Sequence, residues 1–221
     1  MGQDDWYRNK TWDKEISEFF ETKLKRSRGP SSKAQYLRIQ ASYLLGSQNR
    51  DFEKIGLILM ERLLTDFSTE ALTTVFGKEQ LGDYFLRIGD YEKAEFYYQQ
   101  VTDHYKTKKR SGTSGLADIK LAETIIRGEK REKFREIYRL ITEDFEKTGG
   151  QLTFNADRFY YACVLAELAD RLDRKNEAIQ FADKALEIAK ITEPQFSRHK
   201  DVGLVNTDKE TLDKLKQIKM G

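Results

Sequence analysis

One cysteine, two histidines and two prolines are all that 221 residues contain of these types. A lone Cys163 cannot close an internal disulfide, which fits a reducing compartment. His104 and His199 stand apart, with no second ligand at helical or loop spacing, so no metal site is expected. Neither Pro30 nor Pro194 interrupts a long apolar-periodic stretch, which leaves long helices intact. No run approaches the ~20 apolar residues of a membrane span. The residues Met1 to Trp6 show neither the basic cluster nor the apolar run of a signal peptide. Trp6 also stands where a myristoylation signal wants Ser or Thr. The cytoplasm, with no membrane attachment, is the expected location. A surplus of one charge is missing too: 39 Lys and Arg against 37 Asp and Glu leave +2. Nucleic-acid binders carry a larger or more focused excess of positive charge.

What is present is a chain that is 38% hydrophobic, 34% charged and 12% aromatic. Aromatics at this level supply the burial anchors that disordered segments lack. Such a charged, proline-poor chain suits amphipathic helices with one dry stripe and a wide wet face. Trp12, Ile16, Phe19, Phe20 and Leu24 share one face of a first helix, with Thr11 as the expected N-cap. After a turn through Ser32, a second helix is predicted over Lys33–Leu45. A third carries Phe52, Ile55, Ile58, Leu59, Leu63 and Leu64. A fourth spans Thr69–Ile88, and a fifth carries Tyr91, Ala94, Tyr97, Tyr98, Val101 and Tyr105. Lys106–Gly115 reads as a basic loop. Helix six runs to Arg127, and helix seven carries Phe134, Ile137, Tyr138, Ile141 and Phe145, closed by Gly149-Gly150. Helix eight covers Asn155–Leu172 and helix nine Asn176–Lys190. The stretch 191–205 is expected to be irregular. Thr207 to Glu210 form a capping box ahead of a short helix bearing Leu212, Leu215 and Ile218.

Paired helices joined by short turns invite a search for repeats. The segment 81–101 carries Leu81-Gly82, then Phe85, then the turn Gly89-Asp90-Tyr91, then Ala94 and Tyr98. This order closely resembles the tetratricopeptide repeat, in which small residues let two helices touch while aromatics fill the wedge beyond. A second copy reads Leu165-Ala166, Leu172, Ala178, Ala185 and Leu186, with Asp173 replacing the turn glycine and Ala169 and Ala182 replacing aromatics. A third, degenerate copy has Leu121-Ala122, Phe134, Tyr138 and Ile141, and its Phe134 should hold those helices wider apart. A fourth lies around Tyr43-Leu44, Gly56, Met60 and Leu63. The crossing residues Gly56, Ala94, Phe134 and Ala178 are spaced 38, 40 and 44 residues apart, longer than the ~34 of the family. Blocks at 19–28, 35–41 and 199–205 are similar to those of bacterial tetratricopeptide proteins without an assigned role.

The resemblance implies an all-α fold of antiparallel helix pairs stacked as a right-handed superhelix. It implies one domain over 1–221: an N-terminal helix at 11–32, about four helix pairs at 33–190, and a C-terminal loop and capping helix at 191–221. Capped ends favour a monomer, with a homodimer as the other possibility. The family's usual task is to hold a protein or peptide partner in the groove lined by inner helices. At one groove-facing place this chain has Asp83, Glu123 and Glu167, and four residues later Arg87, Arg127 and Arg171. Acid-then-arginine pairs at this spacing support a helix by ~0.3–0.5 kcal/mol each. They also make a ladder of alternating charge suited to a partner of both signs, and arginine's planar fork fits carboxylates. Arg38 and Tyr160 complete the expected partner-binding groove. Repeats that clamp the terminal carboxylate of chaperone tails use asparagine where Asp83, Glu123 and Glu167 stand, so that role is not expected. No cofactor or catalytic residue is expected: Cys163 sits among apolar neighbours, and Ser111-Gly112-Thr113-Ser114-Gly115 lacks the Lys-Ser/Thr ending of a phosphate loop. The alternative is RNA or DNA binding through two basic turns. One is Lys23, Lys25, Arg26, Arg28 and Lys33; the other is Lys106, Lys108, Lys109 and Arg110.

Overall fold

The computed structural model describes residues 5–108 and 110–221. Among these residues the secondary structure is helical, and the only extended pairing is an isolated bridge between Phe196 and His199. The chain divides into two compact units, residues 1–117 and 118–221.

The first unit holds α1 (Lys14–Arg26), α2 (Pro30–Leu45), α3 (Arg50–Asp66), α4 (Ala71–Arg87) and α5 (Tyr91–Lys108). Helix α1 is capped by Asp13, whose side chain accepts from the Ile16 amide, and not by Thr11. Helix α2 starts earlier than its apolar pattern suggested. Pro30 occupies its first turn, where the missing N–H costs nothing. Phe19, expected on the apolar face of α1, is 53% exposed. Residues 6–9 are nonetheless pinned down. Trp6 and Tyr7 lie 4.8 and 4.6 Å from the Tyr36 ring, and Trp6 and Trp12 each pack 5.5 Å from Phe20. The fully buried Gln40 amide accepts from the Asn9 backbone N–H at 3.0 Å and donates to the Asn9 carbonyl at 2.8 Å. It imitates a strand neighbour for one residue.

Helices α2 and α3 form one tight pair, and α4 and α5 another. Small residues set both approaches. A Cβ added at Gly56 would sit 3.0 Å from the Ala41 carbonyl of α2, and one at Gly82 would sit 2.6 Å from the Tyr98 ring of α5. Ala94 is fully buried on the same contact. After α5 the chain folds back instead of looping free. Glu79 of α4, with no exposed surface, accepts from the Ser114 amide at 2.8 Å and from the Ser114 hydroxyl. Gly112 is left-handed at φ 76° and has no room for a side chain beside Leu72.

The second unit holds α6 (Ala117–Arg127), α7 (Phe134–Arg139), α8 (Phe145–Lys147), α9 (Asn155–Arg171), α10 (Lys175–Ala189) and α11 (Lys209–Met220). The single helix expected around Phe134–Phe145 is interrupted. A 3-10 turn at Arg131–Lys133 precedes α7, and a π turn at Leu140–Asp144 separates α7 from α8. The wider π turn leaves carbonyls in need of donors, and the Tyr161 hydroxyl donates to the Ile141 carbonyl at 2.9 Å. Phe134 is buried where the other pairs carry a small residue.

Helices α9 and α10 pack closely, with Ala166 and Ala178 fully buried. Helix α11 seals them: Leu215 enters a cluster of Phe159, Ala162, Ala166, Ala182 and Ala185. It starts from Asp208, whose side chain accepts from the Thr211 amide, one residue later than the capping box placed it. The intervening irregular stretch is tied to α9, since Gln195 accepts from the Asn155 amide at 3.0 Å and donates to the Thr153 carbonyl at 2.7 Å.

Candidate partner-binding face

In the first unit, Arg38, Ser42 and Leu45 follow one face of α2, and Phe76, Gln80, Asp83 and Arg87 follow one face of α4. The two helices are neighbours, and a hollow of about 230 Å³ between them is lined by residues including Ser42, Leu45, Gln80, Asp83, Tyr84 and Arg87. The geometry assigns these side chains unequal duties.

Arg87 does not answer Asp83 along its own helix. It donates to the Leu45 carbonyl at 2.6 Å, at the end of α2, and to Glu53 of α3 at 2.9 Å. Glu53 is a buried carboxylate, so Arg87 is a staple between successive helix pairs. Asp83 instead accepts from the Tyr98 hydroxyl at 2.6 Å, the ring of which passes over Gly82. Burial and the Glu53 carboxylate together raise the pKa of the Tyr84 hydroxyl nearby.

The second unit repeats the scheme. Arg171 grips both oxygens of Glu129, at 2.7 and 2.8 Å, and also Glu167 at 3.0 Å. Arg171 holds the Glu129 carboxyl below its ordinary pKa. Glu129 follows α6, so this arginine also reaches back to the preceding inner helix. Arg127 makes the intrahelical pair with Glu123 at 3.1 Å and is exposed. Glu123 additionally accepts from the Tyr160 hydroxyl of α9 at 2.5 Å. Glu167 takes Lys214 of α11 at 2.6 Å in the corresponding way. Each of the three groove acids therefore holds a donor from another element: Tyr98, Tyr160 and Lys214. Helix α11 stands to α9 as α9 stands to α6.

Arg38 differs from the others. Its guanidinium stacks 4.3 Å from the Phe76 ring and donates one hydrogen bond to Gln80 Oε1 at 3.1 Å. No carboxylate partners it among the described residues, and burial alone lowers its pKa.

Cys163 packs against the α9–α11 cluster, and burial pushes its thiol up to about 12. Among the described residues no group of three His, Cys, Asp or Glu converges on a common point. The glycine-rich loop at 111–115 gives its Ser114 amide to a buried carboxylate, so that amide is not offered to a phosphate. Of the basic loop, Arg110 is turned inward, donating to the Gly115 carbonyl at 2.6 Å and stacking on Tyr105, while Lys106 pairs with Asp103. Lys109 lies outside the described residues. Sequence reasoning missed Glu53, Glu79, Gln40 and Glu129 as organising residues. Their partners are 31 to 42 positions away, and no local pattern marks such pairs.

The tetratricopeptide repeat family matches residues 79–103 and 160–192. These segments span two of the close small-residue crossings, α4 with α5 and α9 with α10, and the two segments are tetratricopeptide repeats. No curated protein and no solved structure matches the chain significantly. Tetratricopeptide repeats generally mediate contacts between proteins. Among the described residues no helix is long and apolar enough to cross a membrane.

Proposed function

We propose that this chain is a non-catalytic scaffold that holds a protein or peptide partner on its inner helices. The candidate residues are Arg38, Asp83 and Arg87 in the first unit and Glu123, Arg127, Tyr160, Glu167 and Arg171 in the second. The observation that carries the reading is the division of labour among these residues. Arg87 and Arg171 staple successive helix pairs, and the acids are held by Tyr98, Tyr160 and Lys214, so the charged surface is rigid and preformed. Preorganised side chains lose less entropy when a partner arrives. The inward turn of Arg110 and the pairing of Lys106 remove donors from the basic loop and favour a protein over a nucleic acid. Helix α11 covers the apolar side of the α9–α10 pair that a second copy would otherwise seek, which supports a monomer, and the cytoplasm is its proposed compartment.

The test is affinity capture from the native cell with quantitative mass spectrometry. Wild type is run beside an Arg38→Gln, Arg127→Glu variant and beside a Lys25→Glu, Lys33→Glu variant of the basic turn. The reading expects the face variant to lose its specific partners and the turn variant to keep them. Loss in the turn variant alone, with binding that falls steeply with salt, would instead mark a nucleic-acid binder.

A further inference from the structure

We propose that Arg38 seats the side-chain carboxylate of an acidic residue in the partner segment, an assignment that rests on the groove reading above. Four observations converge on it. First, the guanidinium uses only one of its five N–H groups, toward Gln80, so Nε and Nη2 donate to no described residue. Second, neither of those nitrogens is fully sealed from solvent. Third, the group is already partly desolvated and fixed: it lies on the Phe76 ring and is anchored by Gln80, which presents its remaining edge as a fork. A fixed, half-buried fork matches the two oxygens of a carboxylate and binds them more tightly than an exposed lysine would. Fourth, every other arginine of the candidate face is already matched to a carboxylate: Arg87 to Glu53, Arg127 to Glu123, Arg171 to Glu129 and Glu167. Arg38 is the member of that set left for a partner.

The experiment uses the full chain and a phage-displayed library of random dodecapeptides, followed by synthetic copies of the selected peptides made both with free and with amidated C-termini. Selected peptides are expected to share an acidic residue at one position. Replacing that Asp or Glu by its amide, or making Arg38→Gln, should each weaken binding about tenfold or more. The double change should weaken it no further, and Arg38→Lys should retain part of the affinity. Peptide substitution on the wild-type protein keeps the test valid should Arg38→Gln fold poorly. If selected peptides are displaced by Ser42→Trp, which fills the hollow, yet share no acidic position or bind Arg38→Gln equally, the carboxylate seat is wrong and the groove reading stands. Binding that survives Arg38→Gln but vanishes on amidation assigns the contact to a terminal carboxylate and overturns the proposal. If no peptide is selected, or Ser42→Trp leaves every peptide bound, both fall.

Discussion

At Gly82 three side chains share one solution. The missing side chain lets the Tyr98 ring cross, and the crossing carries its hydroxyl to Asp83 at 2.6 Å. Tyr98 is fully buried and has nowhere to retreat. Overfilling a packed site costs about 1–3 kcal/mol, while leaving glycine for alanine in a helix returns up to about 1 kcal/mol. Gly82→Val is therefore expected to destabilise the chain by about 2–3 kcal/mol in urea melts, and Gly82→Ala by distinctly less. Four turn residues, Gln48, Gly89, Glu129 and Asp173, share a left-handed backbone, yet only one is glycine. A left-handed conformation costs an ordinary residue about 1–2 kcal/mol, more than the extra entropy of glycine. Gln48→Gly should thus raise stability by up to about 1 kcal/mol, and an unchanged or lower melting temperature would contradict this. Cys163, with its thiol pushed up to about 12, offers about a thousandth of the thiolate of an ordinary cysteine. Alkylation by iodoacetamide should be correspondingly slow in the folded chain and fast in urea. These small residues were legible because close helix crossing restricts a position to glycine or alanine. Arg87 was legible as a groove position but not as a staple, because Glu53 and the Leu45 carbonyl lie more than thirty residues away.

At the scale of elements, Leu215 is the one buried side chain of α11, supported by Lys214 to Glu167 and Lys219 to Asp183. Leu215→Ala should cost about 2–4 kcal/mol locally and strip hydrogen-exchange protection from α11 while leaving α4 and α5 protected. Its start is also sensitive to pH. The Thr211 backbone amide holds the Asp208 carboxyl below its ordinary 3.8, and Glu129 is lowered in the same direction by Arg171. A lowered native pKa adds stability that is complete above about pH 5 and is lost as pH falls through the native value. Asp208→Asn, which caps without titrating, should flatten the loss of α11 protection between about pH 5 and 3. Apolar periodicity located nearly every helix here. It could not show the π turn at Leu140–Asp144, which answers a tyrosine on another helix and not its own neighbours. Nor could it separate Asp208 from Thr207 as the cap, since both are good cap residues.

For the whole molecule, the tetratricopeptide repeats at 79–103 and 160–192 belong to a family that generally mediates contacts between proteins. The more degenerate pairs keep only part of this scheme: Glu123 of α6 is held by Tyr160, but Arg127 stays on its own helix and Arg38 of α2 has no carboxylate partner among the described residues. Composition and spacing made the class of fold readable. The candidate face was readable only as a row of charges, because the sequence does not say which arginines are consumed internally. Site-specific photo-crosslinking in the native cell tests the central claim most directly. Benzoylphenylalanine is placed either at Gln35, exposed on α2 one turn before Arg38 and outside the hollow, or at Phe96, exposed on α5. The account predicts a defined protein adduct from position 35 and none from position 96. Adducts from position 96 alone, or RNA in place of protein at position 35, would contradict it.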